Sequence, residues 1–267
     1  MAVAYTYEQN VMGGCHALGS MTLSIAPKAA GNLIAVMVTI CDASALTSPD
    51  PTATFPGVAS LNRVIITTGA AWVFWGVANT TSAETFTLSG LSTSSDYIVI
   101  AQEIAGTGAT WTYDTSAAVA IPDTAAYSIT LTPSVPGAGI AQFAAYSAGS
   151  TANPTGTFSG GFVWQGPNSF ESISWTVSGH IYYDVGGGAI SVTVPAGATT
   201  LTVADPYMNS NPKIPGYFAG ALFYMTAPVL TSAPIRVYSQ AVQRASSWMK
   251  RASGLWSPES GLIPRTV

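Results

Sequence analysis

The first 228 residues break into short runs, apolar or alternating apolar and polar, rich in β-branched and aromatic residues and bounded by Gly, Pro, Ser and Asn. The clearest are NLIAVMVTI (32–40), AAWVFWGVA (70–78), TFTLSG (85–90), DYIVIAQEIA (96–105), YSITLTP (127–133) and GIAQFAAYSA (139–148). ESISWTVSG (171–179), GHIYYDVGG (179–187), AISVTVPAG (189–197), TTLTVA (199–204) and GYFAGALFYM (216–225) follow. Hardly any of this has helical period, and the Ala-rich run at 139–148 is short and flanked by Gly and Pro, which favours a strand. Roughly a dozen strands without helices predict an all-β fold, an antiparallel jelly-roll-like β-sandwich over 1–228.

The pattern then changes. After a linker at 229–234, apolar residues fall at Ile235, Tyr238, Val242, Ala245, Met249, Ala252 and Trp256, in steps of three and four. That spacing draws a stripe along one face of an amphipathic helix. Trp248 widens the stripe, and Arg244, Lys250 and Arg251 lie off it. Pro234 suits the first turn, and Gly254 with Pro258 marks the end. The tail, 235–267, is therefore expected to be a helical docking element. A neighbouring subunit is one surface for it and its own sandwich another. Two Trp and four bases also suit a membrane surface, whereas so few bases without a nucleic-acid motif argue against DNA or RNA.

An internal echo recurs at a separation of about 106 residues. TLSIAPKAAGNLIAVM (22–37) lines up with TLTPSVPGAGIAQFAA (130–145), and ETFTLSG (84–90) with ISVTVPAG (190–197). YIVIAQEIAG and YFAGALFYMT close the two stretches. One reading is a duplicated β-unit with halves at 20–113 and 127–228; the other is that a chain of such simple composition aligns with itself.

Charged residues make up only 7% of the 267, against about 25% in ordinary soluble domains. Such a surface resists aggregation poorly unless neighbours cover it. The charge is also divided: residues 1–230 hold eleven acids and three bases, a net of −8, and residues 231–267 hold one acid and five bases, a net of +4. The asymmetry marks the tail as a part with its own task. No apolar run reaches eighteen residues, so no membrane span is expected. MAVAYTYEQN lacks the basic and apolar regions of a secretory leader, and Cys15 and Cys41 are accordingly expected to be free thiols.

Chemistry-bearing clusters are scarce. His16 and His180 have no ligand-spaced neighbours, and no G-x-S-x-G elbow occurs. The acids Glu84, Asp96, Glu103, Asp114, Glu171, Asp184 and Asp205 form no tight alternating pair of the glycosidase kind. Glu103 stands in an apolar run, where burial with a perturbed carboxyl is one reading and an outward position on an edge strand is the commoner one. No catalytic residue, metal or cofactor is assigned. Exposed aromatics remain a route to sugar binding: Trp72, Trp75, Trp164 and Trp175 are available, Trp72 and Trp75 point to opposite faces, and Trp111 and Tyr113 share a face. The last two are the candidate glycan contacts, with burial in the core as the commoner fate of such rings.

AAGNLIAVMVTI, AAWVFWGVA, AETFTLSG, DYIVIAQEIAG and PYMNSNPKIPGYFAGALFYMTAP together resemble a diffuse family of β-sandwich proteins of actinobacteriophages, over roughly residues 20–228. Glu103 and Gly106 match its strand ending in Glu-x-x-Gly, and Tyr217 to Pro228 its aromatic-Ala closing strand. The resemblance implies a virion protein of the minor tail or capsid decoration type, assembled in the host cytoplasm. Its implied partners are other virion proteins and further copies of itself in a homo-oligomer; a host-surface glycan is instead the partner that the exposed aromatics would take in a lectin-like receptor binder. It implies no enzymatic residues, and it does not supply the C-terminal helix.

Overall fold

The structure, a computed structural model, describes residues 3–16, 18–40, 49–120, 126–134, 137–144, 156–158, 162–164, 172–177, 180–185, 189–194, 199–204 and 217–226. All lie in one compact unit, Met1–Ala227. The linker at 229–234 and the expected helix from Ile235 to Trp256 fall outside the described residues.

Strand follows strand: β1 (Tyr5–His16), β2 (Ser20–Ile25), β3 (Leu33–Ile40), β4 (Thr52–Thr54), β5 (Asn62–Thr67), β6 (Ala71–Val77), β7 (Glu84–Ser89), β8 (Asp96–Gly106) and β9 (Trp111–Ala120). Then come β10 (Ala126–Leu131), β11 (Gly137–Ala144), β12 (Gly156–Phe158), β13 (Phe162–Trp164), β14 (Ser172–Val177), β15 (His180–Val185), β16 (Ala189–Val194), β17 (Thr199–Ala204) and β18 (Tyr217–Met225). Every pairing is antiparallel, and the described residues contain no helix. The architecture is all-β and sandwich-like.

The sheet order repeats. Strands β1 to β8 form a five-stranded sheet, β1-β8-β3-β6-β5, and a three-stranded one, β2-β7-β4. The later strands form β9-β18-β11-β16-β13 and β10-β17-β12. Substituting β9 to β13 for β1 to β5, and β16 to β18 for β6 to β8, converts one set into the other. The hairpin β14-β15 is left over and has no counterpart in the first set.

Register carries the repeat to single residues. Tyr5, Thr6 and Tyr7 face Gly106, Ala105 and Ile104; after a bulge at Glu8, Gln9 faces Glu103. Trp111, Thr112 and Tyr113 face Met225, Tyr224 and Phe223; after a bulge at Asp114, Thr115 faces Leu222. YTYEQN (5–10) and WTYDTS (111–116) are thus the same strand start with the same acidic bulge. The division falls between Gly106 and Trp111, so β1 belongs to the first repeat and β9 to the second, unlike halves drawn at 20–113 and 127–228. The counterpart of ETFTLSG in β7 is β17 (TTLTVA), not ISVTVPAG, whose β16 takes the place of β6.

Burial follows from this layering. Along β3, Leu33, Ala35 and Met37 join a cluster with Ile98, Ile100, Ala219, Ala221 and Phe223 from β8 and β18. The alternate residues Ile34, Val36, Val38 and Ile40 join Phe74, Phe86, Leu88 and Val99. One five-stranded sheet is therefore covered on both faces, which is why β3 reads as an unbroken apolar run. Phe74 and Phe55 each meet Phe86 edge-on, at 6.1 and 6.2 Å between centroids, locking the three-stranded sheet onto this core.

Candidate functional site

The most elaborate polar site lies inside the fold. β8 runs between β1 and β3, so Glu103 stands on an interior strand with 1% of its surface exposed. This corrects the expected outward place on an edge strand: an acid in an apolar run is here a buried one with donors gathered around it. Its Oε1 accepts from the Lys28 backbone N–H (2.7 Å), the Ala29 backbone N–H (3.3 Å) and the Asn32 side-chain Nδ2 (2.6 Å). Its Oε2 accepts from Gln9 Nε2 (2.5 Å) and again from the Lys28 N–H (2.9 Å). Gln9 also donates to the Ala26 carbonyl at 2.7 Å.

Each contact has a local cause. Pro27, which is buried, follows the end of β2, and the chain then turns through Lys28 and Ala29 to Gly31, whose φ of 94° is the left-handed conformation glycine tolerates. That turn leaves the Lys28 and Ala29 N–H groups without ladder partners, in need of another acceptor. Glu103 supplies it. The bulge at Glu8 shifts β1 by one residue and sets Gln9 opposite Glu103. The carboxylate is enclosed and its oxygens are occupied, so it fixes a turn and has no open side toward a reactant.

In the second repeat the matching positions are Thr115 for Gln9, Gly139 for Asn32 and Leu222 for Glu103. Pro133 matches Pro27 and Ser134 matches Lys28. There the turn is held from the bulge: Asp114 accepts from the Ser134 backbone N–H at 3.0 Å and from the Ser134 hydroxyl. The signal that reveals Gln9, Asn32 and Asp114 is the near-repeat YTYEQN and WTYDTS together with the shared Pro, rather than any motif of local spacing.

The aromatics that open the two repeats meet. Tyr5 and Trp111 stack with centroids 5.7 Å apart at 45°. Each bonds into the other repeat: the Met225 N–H donates to the Tyr5 hydroxyl at 2.9 Å, and Trp111 Nε1 donates to the Gly31 carbonyl at 3.1 Å. Burial raises the Tyr5 pKa, with the Met225 N–H opposing it in part. Gly106 lies beneath this pair; a Cβ there would fall 2.3 Å from Met225 Sδ.

These contacts decide the fate of the candidate glycan residues. Trp111 is 7% exposed and belongs to the core cluster. Tyr113 is half-buried, meets Phe223 edge-on at 5.9 Å and shares a hydrogen bond with Ser116. Neither is an open platform. Trp72 and Trp75 do point to opposite faces: Trp72 is fully buried and donates to Asp50, whereas Trp75 is half-buried. Trp75 lines a cleft of about 390 Å3 with Gly31, Ala59, Ser60, Asn62, Val77, Ala109, Thr110, Trp111 and Met225. A smaller cleft of about 210 Å3 is lined by Thr52, Ala53, Leu61, Arg63 and Phe74.

Among the described residues no three His, Cys, Asp or Glu side chains converge as a metal site, and no helix is long and apolar enough to cross a membrane. Trp164 and Trp175 stand on β13 and β14, and His16 and His180 on β1 and β15. Cys41, Glu171, Asp205 and the tail residues Ile235, Tyr238, Val242, Arg244, Ala245, Trp248, Met249, Lys250, Arg251, Ala252 and Trp256 lie outside the described residues.

Fold and site together define a class: a repeated, sandwich-like all-β protein whose principal polar cluster holds backbone in place. No family profile, curated protein or solved structure matches this chain.

Proposed function

We propose that this protein is a structural component of a bacteriophage virion, a minor tail protein that works by surface docking. The observation that carries the reading is the repeated sheet order. With the eight strands of a repeat lettered a to h, the sheets run a-h-c-f-e and b-g-d. A jelly roll runs a-h-c-f and b-g-d-e, so the order of each repeat departs from it only in the sheet that takes strand e, which supports a jelly-roll-like reading. Viral shell proteins and lectins are the common users of that architecture. The low charge of the chain supports the same reading, since a surface so poor in charge is best kept soluble by neighbours. The resemblance to actinobacteriophage sandwich proteins supports it through residues whose roles are now clear: Glu103 and Asn32 form the turn clamp, and Gly106 is the seat of Met225.

The helix expected from Ile235 to Trp256 is the proposed anchor on a neighbouring subunit. Truncation after Ala233 tests it: the truncated chain folds but does not enter particles, and normal incorporation sinks the anchor. A capsid decoration protein is the alternative of the same kind, and copy number per particle separates the two. A lectin-like receptor binder is the second alternative, favoured by the same jelly-roll-like reading of the strand order.

A further inference from the structure

Where the chain passes from the first repeat to the second, the 108–111 segment, the turn at Gly31 and the chain entering β5 enclose the cleft of about 390 Å3. We propose that this cleft is a binding site for a neutral saccharide, with Trp75 as its stacking platform.

The lining chemistry is selective. Trp75 is half-buried against the core with Phe223 edge-on to it at 5.7 Å and 62°, as Tyr113 is, but unlike Tyr113 it lines the cleft. Trp111 forms a wall whose N–H is already committed to the Gly31 carbonyl, so it offers apolar surface alone. The polar groups are uncharged and stand at exposed positions: the Ser60 hydroxyl, the Asn62 amide and the Thr110 hydroxyl. The Asn62 amide makes only a long 3.4 Å contact to the Trp75 carbonyl, and the Thr110 hydroxyl keeps one neighbour, Thr226, at 2.8 Å. Both retain hydrogen-bonding capacity. No Asp, Glu, Lys, Arg or His lines the cleft.

An aromatic floor, a few amide and hydroxyl groups and a volume at the lower end of the usual small-ligand range make a site for a ligand with one apolar face and hydroxyls around its edge. A neutral pyranose has that form. An anionic sugar or a nucleotide phosphate would enter without a counter-charge.

The second repeat lacks the platform. Trp75 faces Ala35 in the first repeat, and its counterpart Ala189 faces Gln142 in the second. One site per chain follows, not two.

The test is titration of the full-length protein against a panel of neutral and sialylated oligosaccharides, by calorimetry and on an immobilised array. The expected result is binding of at least one neutral member at one site per chain. Trp75→Ala then weakens it about tenfold or more. Asn62→Ala, on an exposed side chain, lowers affinity without changing the melting temperature, which keeps the proposal testable if Trp75→Ala unfolds. Binding to no neutral member, preference for sialylated members, two equivalent sites, or full affinity in Asn62→Ala and Trp75→Ala overturns it. Displacement of the sugar by a short apolar peptide at lower concentration overturns it too, in favour of a protein-docking cleft.

Discussion

In the first repeat the turn after β2 is held by Glu103, from the interior strand β8; in the second, the turn after β10 is held by Asp114, from the bulge of β9. Both turns follow a buried Pro, and both offer an N–H, from Lys28 or Ser134, that no sheet ladder takes. The acid has changed strand while the need has stayed. The environments differ as well. Glu103 is enclosed and gathers four donor groups, whereas the bonds of Asp114 to Ser134 are exposed. Water replaces a lost acceptor readily at the exposed second turn, whereas at the first it would have to enter where Glu103 and Asn32 are buried, so the same loss should cost more in the first repeat.

The strongest test of that contrast is Glu103→Leu, which copies Leu222. It orphans the N–H groups of Lys28 and Ala29 and the side chains of Gln9 and Asn32, and about 3–5 kcal/mol of stability should go. Asp114→Leu should lose about 1 kcal/mol, as for an exposed hydrogen bond. Urea midpoints for the two variants settle the matter, and equal shifts break the comparison. Adding Gln9→Thr and Asn32→Gly to Glu103→Leu completes the second repeat's solution and should recover part of the loss.

Tyr5 and Trp111 occupy equivalent positions, yet only Tyr5 ionises. Tyr5→Phe leaves the buried Met225 N–H without its acceptor, at a cost of about 1–3 kcal/mol. The native protein also carries an alkaline signature. An unfolded Tyr ionises near pH ~10, and the folded Tyr5 holds its proton beyond that. Its contribution is therefore complete below that pH and is lost as pH rises through the raised folded value. Melting of Tyr5→Phe should fall less steeply above pH ~10 than melting of the native chain; parallel curves would show that Tyr5 is not the group responsible.

How much of this could be read from the chain depended on where each strand lies. β3, β6 and β8 stand out because a sheet covered on both faces needs unbroken apolar runs. β1, β5 and β9 do not: YTYEQNVMGGCH, NRVIIT and WTYDTSAAVA lie on sheet edges, where backbone pairing tolerates polar side chains and Gly. The clamp was visible only as an acid in an apolar run. Its donors Gln9 and Asn32 are 94 and 71 residues away, beyond any local period. Trp111 and Tyr113 share a strand face, as alternation requires, but alternation does not tell which face the second repeat covers.

A smaller effect, of opposite sign, is expected at Gln102. It is fully buried, and among the described residues neither its Nε2 nor its Oε1 has a hydrogen-bond partner. The equivalent position in the second repeat is Ala221, which is apolar. Gln102→Met keeps the length of the side chain and removes the stranded amide, so thermal melting should rise by the equivalent of about 1 kcal/mol. A fall would mean that the amide serves the first repeat as Glu103 does.

The smallest effect is expected where the repeats differ most. Three residues, 68–70, link β5 to β6, closed by the Ala70 N–H donating to the Thr67 carbonyl and by Gly69 at a φ of 73°. The matching link, from β13 to β16, takes 24 residues, 165–188, and includes the hairpin β14-β15. Since the first repeat folds the same sheet around a tight turn, the hairpin is an addition to the repeat and not a requirement of it. Insertions in one copy of a repeat tend to carry binding rather than stability. Replacing 165–188 with Thr-Gly-Ala, the sequence of 68–70, should preserve the β-sheet circular dichroism and change stability by about 1 kcal/mol or less, because a shorter loop costs less to close. On the proposed virion role, loss of incorporation into particles by this folded variant would make the hairpin a docking element in addition to the anchor proposed for the C-terminal segment. Loss of the fold would show that the second repeat cannot close its sheet as the first does, and the equivalence of the two repeats would fail at that link.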